Sequence, residues 1–240
     1  MENFRARPEE DSVNGARQAD IGVITGTPVE LSAVRDVLDL TLTVSAAAYE
    51  GTVHTRGTAT RVAALRAAEH GSTAEAFARL AREYAPEIVI LTGVAEALGP
   101  QIAAGDVAVA TEVAGAEQTS PAAVAHAVSC FFTDYGDPAR FHTEDARGVS
   151  RGHRVLNGTV TADPGRAADG QVLAVDPAAG DLARAFRERA EPGVVHGWAV
   201  VRGIGDDAYH ERTDAGQATA AWHAAAVLRC LIPYFRMSAR

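Results

Sequence analysis

Short apolar runs alternate with helical patterns along most of this chain, and this alternation restricts the fold more than any other feature of the sequence. Each run holds β-branched or other apolar residues and stops at glycine, proline or a polar residue, which is typical of a buried strand. Such strands are predicted at residues 21–26, 88–91, 107–110, 155–161, 172–175 and 198–201. No internal repeat or compositional break interrupts the series. The pattern therefore predicts an α/β fold, with helices covering a central mixed, mainly parallel sheet.

Helices are predicted between these strands from residues that favour helix ends. Thr27 suits the N-cap of the first helix, Pro28 suits its first turn, and Pro86 ends the second helix. The helices are predicted at residues 28–38, from Ser72 or Thr73 to Tyr84, near 122–130, at 177–190 with Asp176 as N-cap, and at 213–231. Residues 41–65 are predicted as two or three short antiparallel strands, and the rest of residues 115–153 as largely irregular.

Composition and charge narrow the class of protein. The chain has 240 residues, of which 47% are hydrophobic, and this is enough apolar material for one sizeable core. A net charge of −9 argues against nucleic acid or an anionic membrane as the main partner, although a local pocket can still bind a small anion. We expect residues 1–19 to form a disordered leader and residues 20–240 to form one domain. We also expect a soluble cytoplasmic protein, because the sequence has no signal-like or membrane-spanning apolar stretch.

The cysteines and histidines predict neither a metal site nor a disulfide framework. Cys130 and Cys230 form no close pair and no CxxC motif, so two reduced thiols are expected. His196, His210 and His223 are scattered without the spacing of metal ligands. We expect a protein that uses no metal and no other cofactor.

Four segments follow one another in a recognisable order. They are residues 21–30 (IGVITGTPVE), residues 90–95 (ILTGVA) with Gly105-Asp106-Val107 after them, residues 174–179 (AVDPAA) and residues 201–206 (VRGIGD). Each is weak alone, but together they resemble the nucleoside phosphorylases and the 5′-methylthioadenosine/S-adenosylhomocysteine nucleosidases over residues 20–235. The resemblance implies a single-domain, three-layer α/β/α fold with a mixed central sheet. It also implies an enzyme that cuts the bond between a purine and its sugar.

The resemblance implies two catalytic carboxyl groups. Asp206 lies where the family places the acid that protonates the purine ring nitrogen, and Glu30 lies where the nucleosidases place the group that activates water. Both residues also have plain structural interpretations. Asp206 and Asp207 can form the turn after a strand, and Thr27-x-x-Glu30 is a capping box. Arg202 can pair with a nearby carboxylate or support the site, and a plain surface or interface salt bridge is an equal alternative.

The substrate pocket departs from the family pattern in three places. The resemblance places this pocket beside Val94, Ala95, Glu96, Asp176, Pro177, Ala178 and Gly205. Glu96 begins the dipeptide that replaces Gly-Gly, so a charged side chain would alter or narrow the pocket. Pro177 and Ala178 replace a Met-Glu pair whose glutamate binds the ribose 2′- and 3′-hydroxyls. Asp176 could substitute for that glutamate, although it also suits a helix N-cap. Gly205 replaces a serine that precedes the acid.

Three functions remain open on this sequence. A hydrolase of purine nucleosides or related adenosine derivatives is favoured over a phosphorylase, because residues 25–30 include Glu30 and no arginine that could bind phosphate. The alternatives are a catalytically degenerate protein that binds nucleosides or other partners, and an enzyme repurposed for an unusual substrate in specialised metabolism. The resemblance also implies a homodimer. Its interface, or else the interior of the protein, would hold the aromatic residues Phe131, Phe132, Tyr135 and Phe141.

Overall fold

Thirteen β-strands and five α-helices make up the part of the chain that the computed structural model describes, which comprises residues 17–44, 47–55, 57–114, 118–144, 148, 150–166, 172–189 and 194–237. The strands are β1 (Ile21–Thr25), β2 (Thr41–Thr43), β3 (Ala48–Thr55), β4 (Thr58–Arg66), β5 (Ile88–Ala97), β6 (Val107–Ala110), β7 (Glu112–Ala114), β8 (Gln118–Thr119), β9 (Ala139–Glu144), β10 (Ser150–Asn157), β11 (Thr159–Thr161), β12 (Val172–Val175) and β13 (Gly197–Asp206). The helices are α1 (Pro28–Leu38), α2 (Thr73–Tyr84), α3 (Ala122–Tyr135), α4 (Pro177–Arg189) and α5 (Asp214–Met237).

The strands form one branched sheet in which β5 is the branch point. The main sheet runs β2-β3-β4-β1-β5-β13-β6-β10-β9, and β5 pairs in parallel with both β1 and β13. At the end of β5, Glu96 and Ala97 pair with antiparallel β12, which leads on through β11 and β7 to β8. The carboxyl ends of β5, β12 and β13 therefore meet, and such strand ends are where open α/β sheets bind ligands.

Two groups of helices cover the sheet. α1 and α3 pack with α5 on one face, and α2 packs against α4 on the other. Alternate side chains of β13 face these two groups of helices. Ala199 and Val201 belong to the apolar core under α5, whereas Trp198 and Val200 belong to the core under α2 and α4. The predicted three-layer α/β/α architecture with a mixed central sheet is therefore confirmed.

Two central strands are longer than the sequence predicts. β5 does not stop at Thr92 and Gly93, because β13 pairs with it as far as Glu96. β13 likewise runs beyond Val201 and ends at Asp206. A polar residue or glycine does not end a strand whose backbone groups are hydrogen-bonded to a neighbour. The predicted pocket residues 94–96 and Gly205 therefore lie in strands and not in loops, as does Asp206.

The described residues between 118 and 153 are more regular than predicted. α3 extends beyond residues 122–130 to Tyr135, and β9 pairs with β10 in antiparallel fashion. The predicted strand at 155–161 is divided at Gly158 into the end of β10 and β11. Exposed polar residues alternate along β9, and this alternation dilutes the apolar signal that identifies a strand.

The predicted helices are present. α1 has the predicted bounds, and Ser72 caps α2 by accepting the N–H of Glu75 at 3.1 Å. α4 ends at Arg189, while Ala190 lies outside the described residues. α5 is longer than predicted and continues to Met237. The described residues between 41 and 66 form the predicted antiparallel strands, which are three in number.

The start of the chain falls largely outside the described residues, which begin at Arg17. Ala19, inside the predicted leader, is buried, and its N–H donates to the carbonyl of Tyr84 at 3.0 Å. The packed chain therefore begins slightly before residue 20. In the described residues, no helix is both long enough and apolar enough to cross a membrane.

The aromatic residues near α3 pack against one another. Phe131 is fully buried, and its ring contacts those of Phe132, Tyr135 and Phe141. The ring of Tyr234 from α5 meets Phe131 edge to face at 5.6 Å between centroids. Phe131 and Phe132 therefore pack internally, whereas Phe141 is half-buried and Tyr135 is exposed.

Candidate active site

Glu30 closes the turn between β1 and α1. Its Oε2 accepts the N–H of Gly26 at 2.6 Å and that of Thr27 at 2.8 Å, and the hydroxyl oxygen of Thr27 accepts the N–H of Glu30 at 3.3 Å. This is the predicted capping box, with the proline of the first turn in place. One carboxylate oxygen is thereby fully used at the helix N-terminus.

The second oxygen of Glu30 joins this turn to β5. Oε1 accepts the N–H of Val94 at 2.9 Å, and the side chain is buried at 5% exposure. Gly93 makes this approach possible, because a Cβ at that position would lie 2.3 Å from the Glu30 carboxyl carbon. Its φ of +145° is also one that residues with a side chain rarely adopt. Glu30 therefore caps α1 and also reaches the end of the central sheet.

Arg202 and Asp176 form a buried ion pair on the same side of the sheet. The Arg202 Nε donates to Asp176 Oδ2 at 2.7 Å, and the two side chains are only 3% and 7% exposed. The other oxygen of Asp176 accepts the N–H of Ala178 at 3.0 Å, which makes Asp176 the N-cap of α4 as predicted. Of the alternatives left open for Arg202, the structure shows a pair with a nearby carboxylate, and this pair is buried and not on the surface.

The Nη1 nitrogen of the Arg202 guanidinium group takes no part in the ion pair with Asp176. Burial lowers the pKa of Arg202, but the charges of Asp176 and Glu30 outweigh it and hold the pKa above its ordinary value. Among the described residues, Nη1 has no hydrogen-bond partner although it is fully buried. It lies 2.5 Å from the point where a Cβ would stand on Gly93, and Glu30 Oε1 lies at the same distance from that point. A buried N–H without a partner is costly, so this position is suited to a polar ligand.

The two aspartates at the end of β13 have different roles. Asp207 Oδ2 accepts the N–H of Ala104 at 2.7 Å, and its Oδ1 accepts the N–H groups of Tyr209 and His210 at 2.8 and 2.9 Å. These donors, that of Ala104 first, hold the pKa of Asp207 well below its ordinary value. The predicted turn function therefore belongs to Asp207. Asp206 is half-buried, lies opposite Glu96 in the sheet register and accepts a long hydrogen bond of 3.4 Å from the Gln217 side chain.

The remaining predicted pocket residues surround the strand ends. Ala95 is buried, whereas Glu96 is exposed. Pro177 is exposed and Ala178 half-buried, and both lie in the first turn of α4. The structure therefore brings Glu30, Val94, Arg202 and Asp176 together. Asp206 lies four residues further along β13 than Arg202, a distance of roughly 13 Å along a strand.

Two cavities border this region. One of 520 Å³ lies beside the start of α1 and is lined in part by Pro28, Leu31 and Arg66. The other, of 790 Å³, lies beyond the end of β13 and is lined in part by Gly205 and Tyr209. Of the predicted site residues, only Gly205 lines either of these two cavities.

Sequence reasoning missed Gln217 and undervalued Arg202. An arginine inside an otherwise apolar strand signals a buried ionic partner, because arginine is rarely buried unpaired. Gln217 gives a weaker signal. It lies three residues before Ala220 and seven before Ala224, so it is a polar residue on the alanine face of α5.

Comparisons with known proteins agree on the fold. A family model described as the phosphorylase superfamily matches residues 20–227. The chain is similar to a 5′-methylthioadenosine/S-adenosylhomocysteine nucleosidase from Colwellia psychrerythraea 34H in complex with adenine, with a TM-score of 0.64 and 15% identity over 91% of this chain and 96% of that chain. It is also similar to futalosine hydrolase of Helicobacter pylori, with a TM-score of 0.62 and 12% identity over 91% and 98% of the two chains.

A third similar structure is the nucleosidase from Neisseria meningitidis in complex with methylthio-immucillin-A. Its TM-score is 0.61, with 18% identity over 88% of this chain and 97% of that chain. A search of curated proteins found no match. At these identities the structural similarities show the fold, and the chemistry has to be argued from the residues.

Proposed function

The chain belongs to the phosphorylase superfamily, and we propose that it is a hydrolase that cleaves the N-glycosidic bond of a purine nucleoside or a related adenosine derivative. The observation that carries this proposal is the position of Glu30 beside Arg202. Glu30 Oε1 and Arg202 Nη1, which has no hydrogen-bond partner among the described residues, both lie against Gly93 at the end of β5. Such a pair can hold and polarise one water molecule.

Asp206 is the proposed acid. Cleavage of an N-glycosidic bond puts positive charge on the sugar and negative charge on the departing base, so a proton given to a purine ring nitrogen assists departure. Asp206 ends a buried strand at the meeting point of β5 and β12, and the residue before it, Gly205, lines the 790 Å³ cavity. Its neighbour Asp207 already holds the turn, so Asp206 is not required there.

Glu30 and Arg202 are proposed to act on the water. Arg202 Nη1 donates to the water oxygen, and Glu30 accepts a water proton as the oxygen attacks the anomeric carbon. The carbon–nitrogen bond breaks, and the base leaves with the proton from Asp206. The atoms balance as one water added to one nucleoside, which gives the free base and the free sugar.

Charge favours water over phosphate as the attacking group. Glu30 and Asp176 carry two negative charges around the single positive charge of Arg202. A phosphate dianion would be repelled at a buried site of this net charge. Residues 25–30 also contain no arginine that could offset the repulsion.

The part of the proposed pocket that would bind the sugar differs from the family pattern, and this difference favours a substrate with a different sugar. Ala178 offers a methyl group where the resemblance places a glutamate. Asp176 is held one residue before that position by its hydrogen bonds to the Ala178 N–H and the Arg202 Nε–H, so its carboxylate is not directed from the position of the glutamate. We therefore propose a substrate whose sugar is modified at the 2′ or 3′ position, or is bound there by weaker contacts.

The test is the release of free base. The purified protein is incubated with methylthioadenosine, adenosylhomocysteine, futalosine, common purine nucleosides and their 2′- and 3′-deoxy forms, with and without phosphate. Base is quantified by chromatography, and Asp206→Asn is the matched control. Release that is independent of phosphate and lost in the control supports the proposal. If no base appears from any compound, the hydrolase proposal fails.

A binding protein without chemistry is the second candidate. It is favoured by Ala178, Pro177 and Glu96, which depart from the family pattern at the pocket. Calorimetry with adenine and the same nucleosides separates the two. Binding without turnover that is equal in the wild type and Asp206→Asn supports this candidate.

A homodimer is proposed through the surface beside α1. Val29, Leu42 and Val44 are exposed apolar residues there, and Leu42 and Val44 line the 520 Å³ cavity. Exposed apolar groups that cluster at a cavity are typical of an interface. Light scattering should give twice the chain mass, and Val44→Asp with Leu42→Asp should give the monomer. A monomeric wild type would refute the proposal.

A further inference from the structure

Two glycines of β13 let α5 lie directly on the strand. A Cβ on Gly203 would stand only 1.9 Å from the backbone oxygen of Ala220. Gly205, two residues further, faces the same side of the strand. A Cβ there would lie 2.1 Å from Gln217 Nε2 and 2.7 Å from Val94 Cγ1. A side chain at Gly203 would push the helix away, whereas one at Gly205 would have to displace the Gln217 amide and press on Val94.

This close approach delivers one side chain to Asp206. Gln217 precedes Ala220 by three residues, so the two lie on one face of α5. The Gln217 amide crosses above Gly205, and its Nε2 donates to Asp206 Oδ1 at 3.4 Å. Gln217 is half-buried, and among the described residues this is the one side-chain hydrogen bond that Asp206 makes.

We infer that Gln217 is a positioning residue for Asp206, an inference that rests on the acid role proposed for Asp206. The amide donates to Oδ1, which favours the proton of the acid on the other carboxyl oxygen. The carboxyl plane is fixed at the same time. Gly205 stands where the resemblance places a serine, so a hydroxyl donor is missing there. Gln217 of α5 supplies an amide donor instead, and the absence of a side chain at Gly205 leaves space for it.

A spectroscopic test does not depend on activity. The side-chain NH2 signal of Gln217 is assigned in a proton–nitrogen correlation spectrum by its absence in Gln217→Leu. In Asp206→Asn this signal should shift, whereas that of exposed Gln18 should not. An unchanged Gln217 signal overturns the inference, whether or not any nucleoside is cleaved.

A second test measures steric complementarity. Gly205→Ser alone should lower Tm by about 4 °C, since the new Cβ meets the Gln217 amide. Gln217→Ala in the same chain should recover most of that loss, leaving the contact with Val94. If the double variant is no more stable than Gly205→Ser, Gln217 does not occupy this space and the inference fails.

The kinetic test applies once a cleaved substrate is known. Gln217→Leu keeps the size and removes the donor, so kcat should fall about tenfold while KM changes little, because the acid acts in the transition state. Gly205→Ser with Gln217→Ala should restore much of kcat by supplying a hydroxyl donor. A change in KM alone overturns the positioning role. Absence of any turnover refutes the proposed hydrolase, and the spectrum then decides on Gln217.

Discussion

Asp207 is tied to Ala104 by a hydrogen bond of 2.7 Å from the backbone N–H, whereas its neighbour Asp206 has no such bond to the backbone among the described residues. The two aspartates should therefore respond differently to the same substitution. Asp206→Asn should lower kcat for base release by about 10²–10⁴-fold with little effect on Tm, because it removes an acid and no structural contact. Asp207→Asn should lower Tm, because an amide replaces an acceptor of several N–H groups.

Chromatographic assay of free base and thermal unfolding of both variants check this prediction. The measured activity of each variant is divided by the fraction of that variant that is folded at the assay temperature. If Asp206→Asn retains the wild-type rate, Asp206 is not the acid. If Asp207→Asn alone is inactive while fully folded, the two roles are reversed.

Glu30 should combine a structural with a catalytic contribution. Its carboxylate accepts N–H groups from Gly26, Thr27 and Val94, and a glutamine has only one oxygen for them. Glu30→Gln should therefore reduce the free energy of unfolding by about 1–3 kcal/mol and also abolish most base release. Thr27→Ala is the matched control, because it removes only the capping hydroxyl. We expect it to cost about 1 kcal/mol and to leave most of the activity. Equal activity loss in both variants would mean that Glu30 acts only through the cap.

The ion pair of Arg202 and Asp176 should show strong coupling. Arg202→Met leaves the Asp176 charge buried without its partner and should cost about 3–5 kcal/mol. Asp176→Asn keeps an oxygen for the N-cap but leaves the arginine unpaired. The double variant should be less destabilised than the sum of the two single variants, because it holds neither isolated charge. Urea unfolding of all four proteins measures this, and strict additivity would show that the pair contributes no coupling.

The sequence predicts those parts of the site that depend on near neighbours. The capping box of Thr27 and Glu30 spans four residues, so it can be predicted from sequence alone and is present as expected. The bond from Glu30 to Val94 spans 64 residues and depends on how β1 and β5 pair. No local pattern contains that information. The role of Glu30 beyond the cap was therefore predicted only through the family resemblance.

Other residues show the same limit. Adjacent aspartates at the end of β13 look equivalent in the sequence, and the sequence does not show that Asp207 is the one that also binds the distant Ala104 N–H. An arginine within an apolar strand predicts a buried partner but does not identify Asp176. Gln217 reaches Asp206 only because Gly205 has no side chain, which is a consequence of helix packing.

The sugar specificity should change when the missing carboxylate is restored. Ala178 is half-buried in the first turn of α4, beside Asp176. Ala178→Glu should raise kcat/KM for ribonucleosides at least about tenfold, because a hydrogen bond to a charged group is worth about 1.5–3 kcal/mol. It should not help the 2′,3′-dideoxy compounds. Ala178→Gln is the control of equal size. If Ala178→Glu has no higher kcat/KM for ribonucleosides than Ala178→Gln, the ribose does not bind beside residue 178.

His153 should make stability depend on pH in the acid range. It is buried in β10, and its ring stacks on that of His223 at 3.9 Å between centroids. Burial first, and then His223 and His142, lower its pKa to about 4, while the Arg151 carbonyl and Asp106 oppose this shift. In the unfolded chain its pKa returns to about 6.5. The unfolded state therefore takes up the proton first as pH falls.

The stability that depends on neutral His153 is complete above pH about 6.5 and declines as the pH falls toward about 4. The loss should approach roughly 3 kcal/mol at the lower limit. His153→Phe keeps a stacked ring that does not titrate, so its stability should decline less between these two pH values. Urea unfolding at several pH values measures the difference, and His196→Gln at an exposed position serves as the control. If the phenylalanine variant declines as steeply as the wild type, another group causes the acid sensitivity.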